Sequence, residues 1–391
     1  SSTGKERIRV VTFFAGSDQW APVWKEAIQD YMTQNPGVEI VDESQPTSGA
    51  NDLFRSKVQT EIAAKTPADL MLFFNGADGE AIMDSGLYVD WTSYMKEDAA
   101  WSANLKSGPM EAGNLNGVQY CIPYIGYYEG LIYNKALFDK YGLAEPVSWA
   151  NIIACIDTFK KNGIIPFATG LSRGSSYLVE ALILAQVGAA GQQKYFDNSW
   201  APALDAIADL YARGAFPPDT LTMTEDDIRV LFADEKAAMM VNGSWTINGI
   251  KDKPGMRIIA FPAPPGGVGG EKTTVAGFGS GWYMSKAAAA RSGESLKFVK
   301  WLTSPAVMTR FIAVGGSAAV LCEAPEGATP VEKSAVDMLN KATQTRPAAD
   351  SQVVREAWLA ITQDGIPYLV EKQRTALQLL EQARRINASA Q

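Results

Sequence analysis

The 391-residue sequence contains no histidine. That one absence removes Ser-His-Asp and Cys-His catalysis and every imidazole metal site. Cysteine is scarce as well: Cys121, Cys155 and Cys322 are odd in number, far apart and set among apolar neighbours. They form neither a CxxC metal pair nor a disulfide framework. Each reads as a small buried hydrophobe, with a bridge between one pair left open. No stretch approaches the roughly 20 apolar residues of a membrane-spanning helix. Basic runs are missing too, and 35 Lys and Arg against 43 Asp and Glu leave a net charge of −8. A nucleic-acid groove or an anionic membrane surface requires the opposite sign, so neither is expected as a partner.

What is present is an ordinary globular composition, 47% hydrophobic, on a chain longer than a single hydrophobic core usually supports. Two domains are the natural expectation. The polar opening Ser1-Ser2-Thr3-Gly4-Lys5-Glu6, without Met, reads as the start left after removal of a targeting peptide, with which any lipid-anchoring Cys would have gone.

Along the chain, Ile8 to Phe14 is expected as a buried strand and Ala15 to Gln19 as a polar turn. A helix follows with Trp24, Ile28, Tyr31 and Met32 on one face, then a strand at Val38 to Val41. Asp52 to Lys65 reads as a helix and Asp69 to Phe74 as a third strand, the strand–helix alternation of a doubly wound parallel sheet. A second such series begins after Ile122-Pro123. It has strands at Gly130 to Tyr133 and Ile164 to Ala168, and helices capped by Ser148, over Tyr177 to Val187, and over Asp205 to Arg213. Ile258 to Phe261 is another strand, Pro262 to Gly270 a linker candidate, and Gly277 to Met284 a glycine-punctuated strand. Glu294 to Thr303, Pro305 to Val314 and Pro367 to Ile386 are expected as helices.

The most informative stretch is Phe232 to Trp245. Ala237 to Val241 is a short continuous apolar run of the kind a strand buried on both faces requires. Asn242-Gly243 is expected to turn the chain, Ser244 to cap a following helix, and Trp245 to fall in its first turn. Ligands of open α/β sheets sit beyond the carboxyl ends of strands. A Trp delivered there offers a flat apolar face with one N–H donor, a platform suited to a flat, half-apolar ligand such as a pyranose ring. The alternative is that Trp245 packs over the strand edge as core.

Several segments together resemble the extracellular solute-binding protein family 1, the sugar-binding proteins of ABC importers typified by maltodextrin-binding protein. They are Val58 to Leu70, Gly86-Leu87-Tyr88-Val89-Asp90, Asn116-Gly117 leading to Ile122-Pro123, Leu131 to Phe138, Pro146-Val147-Ser148-Trp149, Ala237 to Trp245, and Trp301-Leu302-Thr303-Ser304-Pro305. Each is short; their order and spacing over nearly the whole chain is specific. The resemblance implies an α/β, two-lobed periplasmic-binding-protein fold with a multi-strand hinge, type II and cluster D-like. One lobe would comprise residues 1–126 and 275–321, the other 127–274 and 322–391. It implies a carbohydrate, a neutral oligosaccharide, bound in the cleft between the lobes. Hinge closure would then present the protein to the permease of an ABC importer. The protein is expected to be a monomer without cofactor or metal, acting outside the cytoplasm in the periplasm or as a cell-surface lipoprotein.

Sugars are held by aromatic faces and by planar amides and carboxylates. The loop after the first strand offers Ser17, Asp18, Gln19 and Trp20, where relatives place polar contacts; a solvated turn with Trp20 stapling the helix is the alternative. After the third strand come Phe74, Asn75 and Asp78. There the chain departs from the family pattern, with Phe for a larger ring and one positive neighbour absent. Tyr127 and Glu129, with Tyr124 and Tyr128, fall at the first crossing, although alternate tyrosines there also fit a core. The loop Ser172 to Tyr177 brings Tyr177, with Arg173 the weaker candidate. Trp282 follows three small residues that would let backbone approach a ligand, and Trp358 lies in a helix near a stacking Trp of relatives, at a spacing that equally fits core. Trp91, Trp101, Trp149, Trp200 and Trp301 read as structural or surface. An enzyme is the rival reading, since Asp18, Asp78, Glu129 and Glu180 could supply the two carboxylates of a glycoside hydrolase. The resemblance carries no catalytic motif, so no enzyme is expected. The same fold binding a phosphorylated polyol or an amino-acid-like anion would want cations, and these loops show only Arg173 against at least three acids, so a neutral sugar, or an amine-bearing one, is expected instead.

Overall fold

Glu6–Val11 pairs in parallel with Val38–Asp42 on one side and with Leu70–Phe74 on the other. Ser280–Met284 then runs antiparallel against Leu70–Phe74 and against Ile122–Pro123, closing a five-stranded sheet that is mixed rather than wholly parallel. The computed structural model describes residues 4–47, 53–173 and 176–390. It divides into two compact units, Ser1–Gly126 with Phe278–Glu326, and Tyr127–Gly277 with Gly327–Gln391.

In the first unit, helix Ala21–Gln34 buries Trp24, Ala27, Ile28 and Tyr31, the stripe expected from a 3.6-residue period. Trp24 lies 5.8 Å from Trp282 and 6.2 Å from Phe298. Helix Leu53–Ala63 covers other core with Phe54 and Val58, packed with Met71, Phe73 and Tyr283. The expected start of that helix, Asp52, lies outside the described residues.

The second unit is built on Ile125–Asn134, whose residues from Tyr127 onward are paired by successive segments. Gly277 and Ala276 face Tyr127 and Tyr128, and Met256–Ile259 runs antiparallel along Leu131 to Asn134. Gly243 back to Met239 lies antiparallel to Glu129 through Tyr133, and Ile165–Phe167 pairs in parallel with Ala237–Gly243. Gln344–Arg346 adds a parallel strand to Thr273–Gly277. A large core under helix Tyr177–Gln192 includes Leu182, Ile183, Leu204, Trp200 and Trp358.

Four local expectations are corrected. Strand Ala237–Gly243 runs through Asn242 and Gly243 instead of turning there, because Asn242 donates its amide to Glu225 Oε1 at 2.6 Å and both residues pair with Glu129–Gly130. Ser244 caps nothing; Thr246 Oγ1 donates to Gly243 O, and Trp245 sits in the 3-10 turn Ser244–Gly249. Gly277 to Met284 is two strands broken at Phe278-Gly279, and Pro367 to Ile386 is two helices. Lys372 at φ 59° ends the first of these, and the Thr375–Gln378 capping box starts the second. Cys121, Cys155 and Cys322 are buried thiols, none of them in a disulfide. Among the described residues no helix is long and apolar enough to cross a membrane.

Candidate functional site

In the first unit, the parallel strands Glu6–Val11 and Leu70–Phe74 deliver their following residues to the same sheet end. Asp18 accepts the backbone N–H of Trp20 at 2.8 Å, a local turn that sets the helix entry. Burial pushes the Asp18 carboxyl up. Trp20 donates its indole N–H to Phe311 O at 3.2 Å and leans on Phe14, while Ser17 and Gln19 are exposed.

Phe74 stacks on Phe13, the rings 4° from parallel with centroids 6.0 Å apart. The guanidinium of Arg55 lies 4.5 Å from the Phe74 centroid and is tethered to Asp78 at 2.6 Å. The positive neighbour that the sequence lacks beside Phe74 is thus supplied from helix Leu53–Ala63, three-dimensionally adjacent and 19 positions away. Asn75 is tied to the Phe278–Gly279 backbone, donating its amide to Phe278 O and its N–H to Gly279 O.

Trp282 is corrected to core. It is fully buried between Trp24 and Tyr124, with the Trp91 indole donating to its carbonyl at 3.1 Å, and has no face for a ligand.

In the second unit three predicted aromatics converge. Trp245 is 46% exposed, with Tyr177 at 5.3 Å and Tyr127 at 6.2 Å between centroids, inclined at 53° and 52°. Two glycines make the room. A Cβ on Gly243 would stand 2.1 Å from the Trp245 ring, and one on Gly277 would stand 2.2 Å from the Tyr127 ring. Gly243 is the register partner of Glu129 and Gly277 that of Tyr127, so ring and carboxylate share one face of the sheet.

The backbone N–H of Ala348 donates to Tyr127 Oη at 2.9 Å. The next two N–H groups, of Ala349 and Asp350, donate to Glu180 at 2.7 and 3.1 Å. Trp358 is buried, its indole N–H engaged by Ser176 Oγ at 3.1 Å beside Tyr177. It braces the helix start and is corrected to a supporting role. Arg173 is exposed, and its loop neighbours Gly174 and Ser175 lie outside the described residues.

Glu129 is only 4% exposed and its Oε2 has no hydrogen-bond partner. Burial pushes its carboxyl well above the usual range, and the charges of Glu180, Asp350 and Glu225 push it further. Glu180 is pushed up to about 8, chiefly by burial, against the two backbone N–H donors. Glu225 and Asp350 have no marker as site residues in the sequence; only the folded sheet brings them here.

Both glutamic acids hold a proton more tightly folded than unfolded. The stability this brings is complete below the ordinary value of 4.5 and is lost as pH rises through the folded-state values, near 8 for Glu180. Thermal melts are expected to fall between pH 5 and pH 8, by at most about 1.4 kcal/mol per pH unit for each group. Glu129→Gln is expected to flatten that slope. An unaltered slope in the variant would mean that Glu129 titrates alike folded and unfolded.

A family model described as bacterial extracellular solute-binding protein matches residues 26–338 of the chain. The multiple sugar-binding protein of Streptococcus mutans is 24% identical over 331 residues, covering 81% of this chain and 76% of that one. The maltotriose-binding protein of Pyrococcus abyssi is 24% identical over 291 residues, 72% of this chain and 59% of its own. Among solved structures, the extracellular solute-binding protein family 1 from Alicyclobacillus acidocaldarius superposes with a TM-score of 0.72 at 18% identity. That superposition covers 100% of this chain and 99% of that one.

Proposed function

Because the chain belongs to the bacterial extracellular solute-binding proteins, we propose that it binds a carbohydrate outside the cytoplasm and hands it to an ABC-type importer. The observation that carries this reading is the half-exposed Trp245 ring, flanked by Tyr127 and Tyr177 with carboxyl groups alongside. Apolar C–H faces of a pyranose lie against such rings, and its hydroxyls pair with carboxyl and amide groups. The names of the relatives, a multiple sugar-binding protein and a maltotriose-binding protein, support an oligosaccharide. In the first unit, Arg55, Asp78 and Asn75 beside Phe74 are the polar set that would take hydroxyls, with Asp18 and Gln19 on the loop that leaves the same end of the sheet. Phe74 itself, covered by Phe13 and Arg55, serves as their support. The protein binds without chemistry: the family is one of binders, and the paired carboxyls serve as hydroxyl partners.

The test is a thermal-shift screen against mono- and oligosaccharides, with phosphorylated polyols and amino acids as controls. A ligand at about 100 times its dissociation constant adds roughly 2.7 kcal/mol, a clear rise in melting temperature. A shift with one glycan class, recovered intact by chromatography, is the expected result. A shift only with a control anion would overturn the carbohydrate reading, and cleavage of the glycan would overturn the binder reading.

A further inference from the structure

The carboxyl groups of the second unit outnumber what a neutral ligand requires. Glu129, Glu180, Glu225 and Asp350 interact electrostatically around Tyr127 and Tyr177. Among the described residues the cation beside them is Arg229, 3.9 Å from Glu225 and also paired with Asp226. Glu180 is committed to backbone N–H groups, and Glu225 Oε1 to Asn242. The remaining oxygens are a different matter. Glu129 Oε2 and Glu225 Oε2 are buried without any partner, and Glu129 is almost wholly removed from solvent. A buried carboxyl without a partner is costly, and natural structures keep one where something else completes it.

The second observation is independent of charge. Tyr127 and Tyr177 both lie against Trp245, each ring inclined to it by a little over 50°, and Tyr127 shares its sheet face with Glu129. Ring faces carry negative potential and attract cations, most strongly where water is excluded. Aromatic faces and unpartnered acids together describe one complement.

We propose that this cluster recognises an ammonium group, so that the solute is an amine-bearing saccharide rather than a neutral one. The ammonium sits against the Trp245 and Tyr177 faces and gives Glu129 the charged partner it lacks. This inference rests on the carbohydrate reading above and narrows it. The same arrival of positive charge favours ionised carboxyls, so binding is accompanied by proton release from Glu129 and Glu180, whose hold on a proton is strengthened by burial, by Glu180, Asp350 and Glu225 at Glu129, and by Asp350 at Glu180.

The experiment is calorimetry on the intact chain at pH 6 with three probes of equal length: a glucosamine tetramer, its N-acetylated form and a glucose tetramer. The expected result is at least tenfold tighter binding of the glucosamine tetramer, with proton release measured across buffers of different ionisation heat. Glu129→Gln, checked by its melting temperature, is expected to abolish the preference. Equal or tighter binding of either neutral tetramer overturns the inference and leaves the carbohydrate reading standing. Silence with all three, together with silence in the wider saccharide screen, overturns both.

Discussion

Trp245→Ala is expected to weaken saccharide binding at least tenfold while leaving the fold intact. The ring is 46% exposed, so its removal uncovers little core. What is lost is a flat face worth about 1–3 kcal/mol when a ligand covers it, on the scale of burying such a side chain. Tyr127 and Tyr177 would lose their shared neighbour, and a modest drop in melting temperature from that source is consistent. Calorimetry with the glycan identified by the screen checks the affinity, and circular dichroism checks the fold. Unchanged affinity would remove Trp245 from the site and leave the aromatic cluster as surface packing.

Trp282→Ala is expected to do the reverse. Its side chain is fully buried against Trp24 and Tyr124, so truncation leaves a cavity in the first unit's core. Large-to-small changes of this kind cost about 3–5 kcal/mol. The urea midpoint should fall sharply, while ligand affinity of the remaining folded protein stays near that of the original. Lost affinity at unchanged stability would return Trp282 to the binding site. The pair of substitutions therefore separates two tryptophans that look alike in the sequence.

Why they look alike is physical. Ala237 to Val241 is legible because a fully buried strand needs continuous apolar residues, and it occurs where expected, though in a mixed sheet. Trp245 follows from it, two residues past the end of the strand at Gly243. Trp282 sits inside a strand, where only the partners on each face decide burial, and the glycines before it signal close backbone approach without saying to what. The Asn242-Gly243 dipeptide carries a turn signal that is outweighed by ladder pairing with Glu129–Gly130 and by the Glu225 contact, both distant in sequence. Arg55 shows the same limit. It completes the Phe74 neighbourhood from a helix whose approach is set by packing of Phe54 and Val58, not by local pattern. Acids such as Asp350 reach the cluster on a segment whose backbone N–H groups donate to Tyr127 and Glu180, both distant in sequence.

Gly243 and Gly277 contribute no side chain, yet each fixes where an aromatic ring lies. Neither needs a left-handed backbone, so alanine is excluded by the ring alone and not by the chain. A change of solute preference thus has a short evolutionary route. One added carbon at either position would re-aim the proposed binding surface while its aromatic and acidic residues stay the same.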